Sequence, residues 1–521
     1  MSTGKKVAKA AGGLMVAMMI SRVLGYVREI AMTTQFGKTF ATDAYIAAFT
    51  LPDLLYNLLV GGALSSAFIP VFSGYLAQDR EREGWHVAST VINIVLLVMG
   101  VAIVLGMIFT RELIPLVAYK FRGETLDLTV KLTRIMFPAF IILSLNGLMM
   151  GILNSYQNFR TPAFGAIVYN LGIIIFGVLL SPKYGIAAFA IGVVAGHIGN
   201  FLVQMPALMK NGLLGYRPVI DLKHPGVRKI FVLMLPAILA LSASQINLII
   251  NQNLASALSE GSITALRMAN RLMWLPLGVF AGSIAVAIFP TMTAQAARRE
   301  MTEFKKTISM GVRSIFLITI PAGAGLIFLS VPIVRLLFQQ GKFGPDATQA
   351  TAYALVFYSV GLFAQSAIWV ITRAFYALHD TMRPLIISLI TIALNFVLNI
   401  TLMGPLQEGG LALAYSITGI LNMVILLWLL RKKIGPIGAK SLFKSFLLIT
   451  AAACIMGAVS LGVSNYIGAY LDLAAKKNQL IQVGISVVVG LLIYIGAIFI
   501  FRLEEAQMVL GMVRRKLGRV G

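Results

Sequence analysis

The feature that most constrains this chain is its division, almost without remainder, into apolar runs long enough to cross a bilayer. A spanning helix takes about 20 apolar residues. Runs of that size follow one another from residue 10 to residue 502, parted only by Gly, Pro or charge clusters. No long polar stretch is left over for a soluble domain. Composition agrees: 58% of the 521 residues are hydrophobic and 12% charged, with a mean hydropathy of +0.87. A soluble chain of this length needs more polar surface, so the solvent for most of it is lipid.

The runs predict an all-α polytopic membrane protein with fourteen transmembrane helices. They lie near residues 10–34, 41–74, 88–109, 128–156, 162–181, 185–208, 228–256, 264–296, 310–332, 348–377, 384–403, 410–430, 442–466 and 480–502. An even number puts both termini on one side. The N-terminal stretch, with Lys5, Lys6 and Lys9, is like the n-region of a signal peptide. The following run contains Arg22 and Arg28 and lacks a convincing small-residue cleavage site, so it reads as an uncleaved first helix.

Lysine and arginine test this topology. With the N-terminus in the cytoplasm, 27 of the 43 cations fall at inner ends and loops, and only 9 in outer loops. The positive-inside rule requires such a bias, and one missed span would scramble it. Most of the net charge of +24 is therefore topology, and it does not point to nucleic acid. Cys454, the single cysteine, excludes an intramolecular disulfide and reads as a small core residue. No Cys/His cluster offers a metal site.

Seven cations lie inside the spans: Arg22, Arg28, Lys131, Arg134, Arg267, Arg271 and Arg373. Lys131 and Arg134 are near a helix end and can snorkel to the interface. Five arginines facing lipid would cost well over roughly 10 kcal/mol, so the other five are expected to face a water-filled cavity. Arg267 and Arg271, four residues apart, share a helix face. Arg22 and Arg28 are about 120° apart on an ideal helix, and Gly25 between them would permit a bend. Only Glu29, Asp43 and Asp53 are near enough in sequence to neutralise such a cluster. The expectation is a set of guanidiniums whose planar donor forks hold a diphosphate. The competing reading, in which each Arg pairs with a carboxylate and merely joins helices, leaves arginines over.

Asn247/Asn251 and Asn395/Asn399 are amide pairs at i,i+4. They admit a monovalent-cation site, but with no carboxylate nearby in sequence interhelical hydrogen bonding is the better expectation. There is no Walker motif, nucleophile elbow or metal-binding histidine pair, so neither an enzyme nor a primary pump is expected. No cofactor is implied beyond coupling to a monovalent cation or to the membrane potential.

Shifting the chain by about 220 residues aligns Ala67-Phe68-Ile69-Pro70 with Ala287-Ile288-Phe289-Pro290, and Tyr156…Arg160-Thr161-Pro162 with Tyr376…Arg383-Pro384. Two six-helix lobes, 1–215 and 222–435, are expected, followed by two further helices and a basic tail, 440–521. Each lobe has an even number of spans, so a pseudo-two-fold axis should run along the membrane normal. Arg22 and Arg28 align with the neutral Gln245 and Asn251, which makes the cationic site mainly a feature of the first lobe.

Ser21-Arg22-Val23-Leu24-Gly25-Tyr26-Val27-Arg28-Glu29, Ala41-Thr42-Asp43-Ala44-Tyr45, Leu51-Pro52-Asp53, Asn270-Arg271-Leu272-Met273 and Gln340-Gly341-Lys342-Phe343 resemble motifs of the MurJ lipid II flippases. The likeness runs over essentially the whole chain. It implies the multidrug/oligosaccharidyl-lipid/polysaccharide exporter superfamily, the bacterial inner membrane, and export of the undecaprenyl-pyrophosphate-linked peptidoglycan precursor by alternating access. It also implies lipid II and membrane lipids as partners, together with cell-wall synthesis proteins. By motif position it implies functional roles for Arg22, Arg28, Asp43 and Arg271, with Glu29 where some relatives have Asp. Tyr56 and Trp274 depart from it, standing where some relatives carry an arginine and a glutamate. A flippase for another polyprenyl-linked oligosaccharide would use the same cationic cavity. A drug/cation antiporter would want buried carboxylates instead, and a membrane-embedded glycosyltransferase would want an acidic residue in a sizeable outer loop.

Overall fold

The computed structural model describes residues 3–58, 63–210 and 215–501, with side chains from residue 16 onward except at a few positions within 63–66 and 236–244. In chain order the helices are α1 (Thr3–Phe36), α2 (Phe40–Tyr56), α3 (Ala63–Ala77), α4 (Glu81–Ile108), α5 (Thr110–Val117), α6 (Gly123–Ser155), α7 (Arg160–Tyr184), α8 (Ala187–Lys210) and α9 (Pro225–Ala255). They continue as α10 (Ser262–Pro276), α11 (Gly282–Ala297), α12 (Met301–Phe328), α13 (Ser330–Phe338), α14 (Pro345–Val360), α15 (Leu362–Ala377), α16 (Met382–Ile434), α17 (Ala439–Tyr470) and α18 (Lys476–Ile500). Among the described residues there is no strand. Among those residues nine helical segments are long and apolar enough to cross a bilayer, and a tenth if α14 and α15, bent by 42°, count as one. The chain is thus an all-helical, multi-pass membrane protein.

Local chemistry explains the interruptions. Pro276 ends α10, and the π-type turn Leu277–Ala281 follows it before α11 begins. A proline removes one helical hydrogen bond and crowds the preceding turn, and the looser π turn absorbs the strain. The 53-residue α16 is broken at Gln407, whose φ of 48° and ψ of −127° are not helical. Left-handed residues recur at a fixed interval: Asp79 and Arg299, Gln157 and His379, and Gly37 and Gly261 each lie about 220 residues apart with φ between 54° and 80°. Helix ends that need such a cap therefore recur in the order of the sequence repeat.

Two elements were not expected from the apolar runs. The short helices α5 and α13 bury Ile114 and Val117, and Val334 and Phe338, on one face. They are too short to register as spans, and α5 carries Arg111 and Glu112. α12 begins at Met301, well before the apolar run expected from residue 310. Its first turns bury Phe304 and Ile308, while Lys306 faces outward. Cys454 also departs from expectation: it is exposed on α17 rather than packed in the core. Lipid is as apolar as a core, so hydrophobicity alone does not say which way a spanning side chain faces.

The described residues up to Thr264, with Gln340–Phe343, pack as one compact unit. Those from Ala265 to Gln339 and from Gly344 onward pack as a second. In the first, Phe68 stacks on Phe72 at 5.3 Å, and Phe72 meets Trp85 and Tyr156 edge-on, each at 6.0 Å. Trp85 Nε1 donates to Tyr156 Oη at 3.1 Å, and that hydroxyl donates to Glu81. Helices α7 and α8 meet backbone to backbone: a Cβ on Gly172 would lie 2.7 Å from Gly196 Cα. The core of the second unit joins Phe304, Ile308 and Val312 of α12 to Phe375 of α15, Leu430 of α16 and Ile449 of α17.

Candidate functional site

In the first unit Arg28 lies on the face of α1 turned to α7. Its Nη2 donates to Glu29 Oε1 at 3.0 Å and its Nη1 to Asn170 Oδ1 at 3.4 Å. The Glu29 side chain is 3% exposed and that of Arg28 14%, so this ion pair is largely out of water. Asn170 Nδ2 in turn lies 3.4 Å from both the carbonyl and the hydroxyl of Ser21, and one amide thus spans two turns of α1. α1 runs unbroken through Gly25, which faces this amide: a Cβ there would sit in ordinary contact, 3.9 Å from Asn170 Oδ1. The Arg28 guanidinium is also 6.0 Å from the centre of the Tyr169 ring, which stacks on His197 at 4.4 Å. Arg22, six residues before Arg28 on α1, is exposed.

A guanidinium has five N–H donors. Two of those on Arg28 are engaged, so it can still offer a fork to an oxyanion while Glu29, Asn170 and Tyr169 fix its orientation. Sequence reading missed Asn170, Tyr169 and His197. A polar pair in mid-span, Tyr169-Asn170, was the available signal. His197 is buried, and neither ring nitrogen has a hydrogen-bond partner among the described residues.

Asp43 is buried and serves a different purpose. Its Oδ2 accepts from Gly261 N at 2.7 Å, and its Oδ1 from Thr264 N at 2.8 Å and Thr264 Oγ1 at 2.7 Å. The carboxylate is an N-cap for α10 supplied from α2, which suits a negative charge at the positive end of a helix. Around it the chain closes through glycine. Gly37 and Gly341 have φ of +71° and +58°, and Lys342 N donates to Thr34 O at 2.8 Å. A Cβ on Gly341 would lie 2.2 Å from Thr34 O, and one on Gly37 2.6 Å from Lys342 O. The Gln340–Phe343 motif is therefore a backbone-paired seam with the end of α1, and only glycine fits it. Asp53, on α2, accepts from Asn57 Nδ2 at 2.9 Å.

In the second unit Arg267 and Arg271 lie half-buried one turn apart on α10, and Arg373 is half-buried on α15. Nη1 of Arg373 is buried with no acceptor among the described residues. The amide pairs are hydrogen-bonded locally. Asn251 Nδ2 donates to Asn247 O and Oδ1 at 2.7 and 3.0 Å. Asn399 Nδ2 donates to Asn395 Oδ1 at 3.1 Å, and Asn395 Nδ2 reaches Thr418 Oγ1, beyond the break in α16, at 3.4 Å. Among the described residues no group of three His, Cys, Asp or Glu could hold a metal ion.

The family model described as "Lipid II flippase MurJ" matches residues 32–479. The chain belongs to the MurJ family. A protein of Buchnera aphidicola (subspecies Acyrthosiphon pisum) named as a probable lipid II flippase MurJ is 34% identical over 412 residues, covering 78% of this chain and 80% of that one. The Burkholderia cenocepacia lipid II flippase MurJ is 32% identical over 426 residues, covering 80% and 82%. A solved lipid II flippase MurJ in an inward closed conformation superposes with a TM-score of 0.78 at 30% identity, over 94% of this chain and 98% of that one. An inward-facing multidrug MATE transporter of the MOP superfamily gives a TM-score of 0.69 at 14% identity, over 82% of this chain and 98% of that one, which shows a shared fold alone. At the two places where this chain departs from the MurJ pattern, Tyr56 is half-buried at the end of α2, and Trp274 is 42% exposed on α10.

Proposed function

We propose that this chain is a lipid II flippase that moves the undecaprenyl-pyrophosphate-linked precursor from the inner to the outer leaflet of the bacterial cytoplasmic membrane. The observation that carries the reading is membership of the MurJ family over residues 32–479, joined to an oriented, largely buried arginine in the first helix. Arg28, Arg22, Arg267, Arg271 and Arg373 are assigned to the anionic head of the substrate, and Glu29 and Asn170 to the orientation of Arg28. Asp43 holds the start of α10, and Asp53 completes the polar set on α2.

Fourteen spans follow if α2 with α3, α10 with α11, and α14 with α15 each count once and α16 counts twice. The cation bias of 27 to 9 supports both termini in the cytoplasm. The recurrent left-handed caps support two six-helix lobes followed by α17 and α18. Alternating access between the lobes needs no cofactor in this reading, and a monovalent cation or the membrane potential drives it. The bond from Asn395 Nδ2 to Thr418 favours a role in joining helices for that pair over one in holding a cation, while Asn251 bonds to Asn247 within α9. Peptidoglycan synthesis would consume the exported substrate, and cell-wall synthesis proteins are the partners to expect.

Depletion in cells tests the function directly. Lipid II should accumulate on the inner leaflet, shielded from a membrane-impermeant amine reagent added to spheroplasts. Undiminished labelling after depletion would sink the proposal. Labelling of another polyprenyl-linked sugar that falls while lipid II holds would move the substrate to that class.

A further inference from the structure

Outside the arginine site, the second unit contains a basic cavity of about 860 Å³ where the first turns of α12 face the turn between α16 and α17. Its α12 lining recurs at Lys305, Ser309 and Arg313, one face over successive turns. Those three residues look onto Gly435, Gly438 and Ser441 in order. A Cβ on Gly435 would lie 3.1 Å from Lys305 Nζ, one on Gly438 3.9 Å from Ser309 Oγ, and Arg313 Nη1 donates to Ser441 Oγ at 3.3 Å. The connecting backbone takes this course because Gly435 and Gly438 hold φ of +85° and +75°.

Gly438 is the N-cap of α17 and offers that helix no side-chain acceptor. The first-turn N–H groups of a helix have no partner within it, and they carry the positive end of its dipole. Lys306 also lines the cavity and is paired with Glu303 at 2.7 Å, and Lys305 and Arg313 bring further positive charge to it. Among the described residues no carboxylate lines it. The cavity borders apolar surface at Met310, which lines it and is 41% exposed on α12. On spanning helices such side chains face acyl chains.

We propose that this cavity binds the phosphate-bearing headgroup of an anionic inner-leaflet phospholipid, whose chains lie over the apolar surface beside Met310. The choice of leaflet rests on the orientation proposed above; the binding itself does not. Hydroxyl and guanidinium donors converge on one anion here, and the low-dielectric wall beneath strengthens their field. Sorting cations by side counted Lys305 and Arg313 as topology markers alone.

The test is lipid binding to the full-length protein, purified in detergent and titrated by native mass spectrometry with dioleoyl phosphatidylglycerol, against dioleoyl phosphatidylcholine as the reference. Wild type should prefer phosphatidylglycerol. A cation near a bilayer surface is worth about 1 kcal/mol toward an anionic lipid, so Lys305→Gln with Arg313→Gln should weaken binding on the order of thirtyfold. Lys440→Gln with Lys444→Gln removes the same charge from exposed positions of α17 outside the cavity, and should change binding only a few-fold. Equal loss in the two double variants would mean diffuse attraction to a basic surface and overturn the site. Should the cavity double variant misfold, Ser441→Leu, which removes the Ser441 hydroxyl and obstructs the headgroup position without altering charge, must weaken binding in its place. Millimolar inorganic phosphate should not displace the lipid; full displacement that depends on Lys305 would make this a site for a soluble anion and overturn the lipid assignment.

Discussion

The pair α7–α8 and the two halves of α16 occupy corresponding places in the sequence repeat, yet they are held together by different forces. In the first pair glycines bring the backbones together: a Cβ on Gly196 would lie 2.5 Å from Tyr169 O, and one on Gly192 2.9 Å from Ile173 Cα. In the second, three of the four positions 222 residues later are polar, Thr391, Asn395 and Thr418, beside Ala414. Asn395 reaches Thr418 at 3.4 Å, and Asn422 reaches Thr391 at 3.4 Å. Lipid supplies no hydrophobic drive for helix association, so close van der Waals packing and interhelical hydrogen bonds are the two available means. The first repeat relies on packing, and the polar residues of α7 are left to serve α1. The second spends its amides on joining the two halves of one long helix. An oriented Arg28 in one half of the chain and a neutral Asn251 in the other follow the same division.

The largest expected effect concerns that functional asymmetry. Arg28→Ala should abolish complementation of a flippase-depleted strain at normal abundance, while Asn251→Ala and Gln245→Ala should complement almost fully. Arg28→Lys keeps the charge but loses the bidentate fork, and should fall between them. If all four variants complement alike, the first-repeat assignment of the anion site is wrong. Arg271 extends the test to α10: Arg271→Glu should fail, and its full complementation would remove that residue from the site.

Next in size is the packing difference itself. Gly196→Val drives a branched side chain into the backbone of α7. Overpacking of this kind costs typically 1–3 kcal/mol and more where no side chain can yield, so thermal unfolding in detergent should come well below wild type. The corresponding Thr418→Val keeps its shape and loses one interhelical hydrogen bond, worth about 0.6 kcal/mol in membrane proteins. Asn395→Ala should be similarly mild. A Gly196→Val protein as stable as wild type would end the account of backbone contact.

Much of this was legible in the sequence, for reasons that also mark the limits. Apolar runs report the transfer free energy of whole segments, which is large, and they located nearly every long helix. Glu29 beside Arg28 was visible because the two are adjacent. Asn170 was not, because its place opposite Ser21 and Arg28 depends on how α7 packs on α1, and α7 is apolar on nearly every face. The same loss of periodicity hid the exposure of Cys454 and the start of α12, where charged and apolar residues alternate at helical spacing outside the apolar run. Asp43 was visible as a carboxylate near arginines. That its oxygens cap α10 depends on Gly261 and Thr264, more than 200 residues away.

The smallest expected effect tests whether the comparison extends to the loops. Asn158 and Asp380 are corresponding caps: Thr161 N donates to Asn158 Oδ1 at 3.3 Å, and Arg383 N to Asp380 Oδ1 at 3.3 Å. Only the second is charged, and it also meets Arg383 Nη1 at 3.2 Å and Lys433 Nζ at 2.5 Å. Burial pushes the Asp380 carboxyl up, but the hydrogen bond from Lys433, the Arg383 backbone N–H and the two positive charges more than offset it, so its pKa is held below the usual carboxylate value. A depressed folded pKa stabilises the loop at neutral pH, and that contribution is lost as pH falls below about 3.9 and through the folded value. Amide protection at the start of α16 should therefore decline as the pH is lowered from neutral through about 3.9. Protection at the start of α7, capped by neutral Asn158, should hold over the same range. Asp380→Asn copies the first repeat into the second, and should lower protection slightly at neutral pH while removing its pH dependence. If that dependence survives in Asp380→Asn, the titrating group is elsewhere, and the two caps do not differ in the way their charges imply.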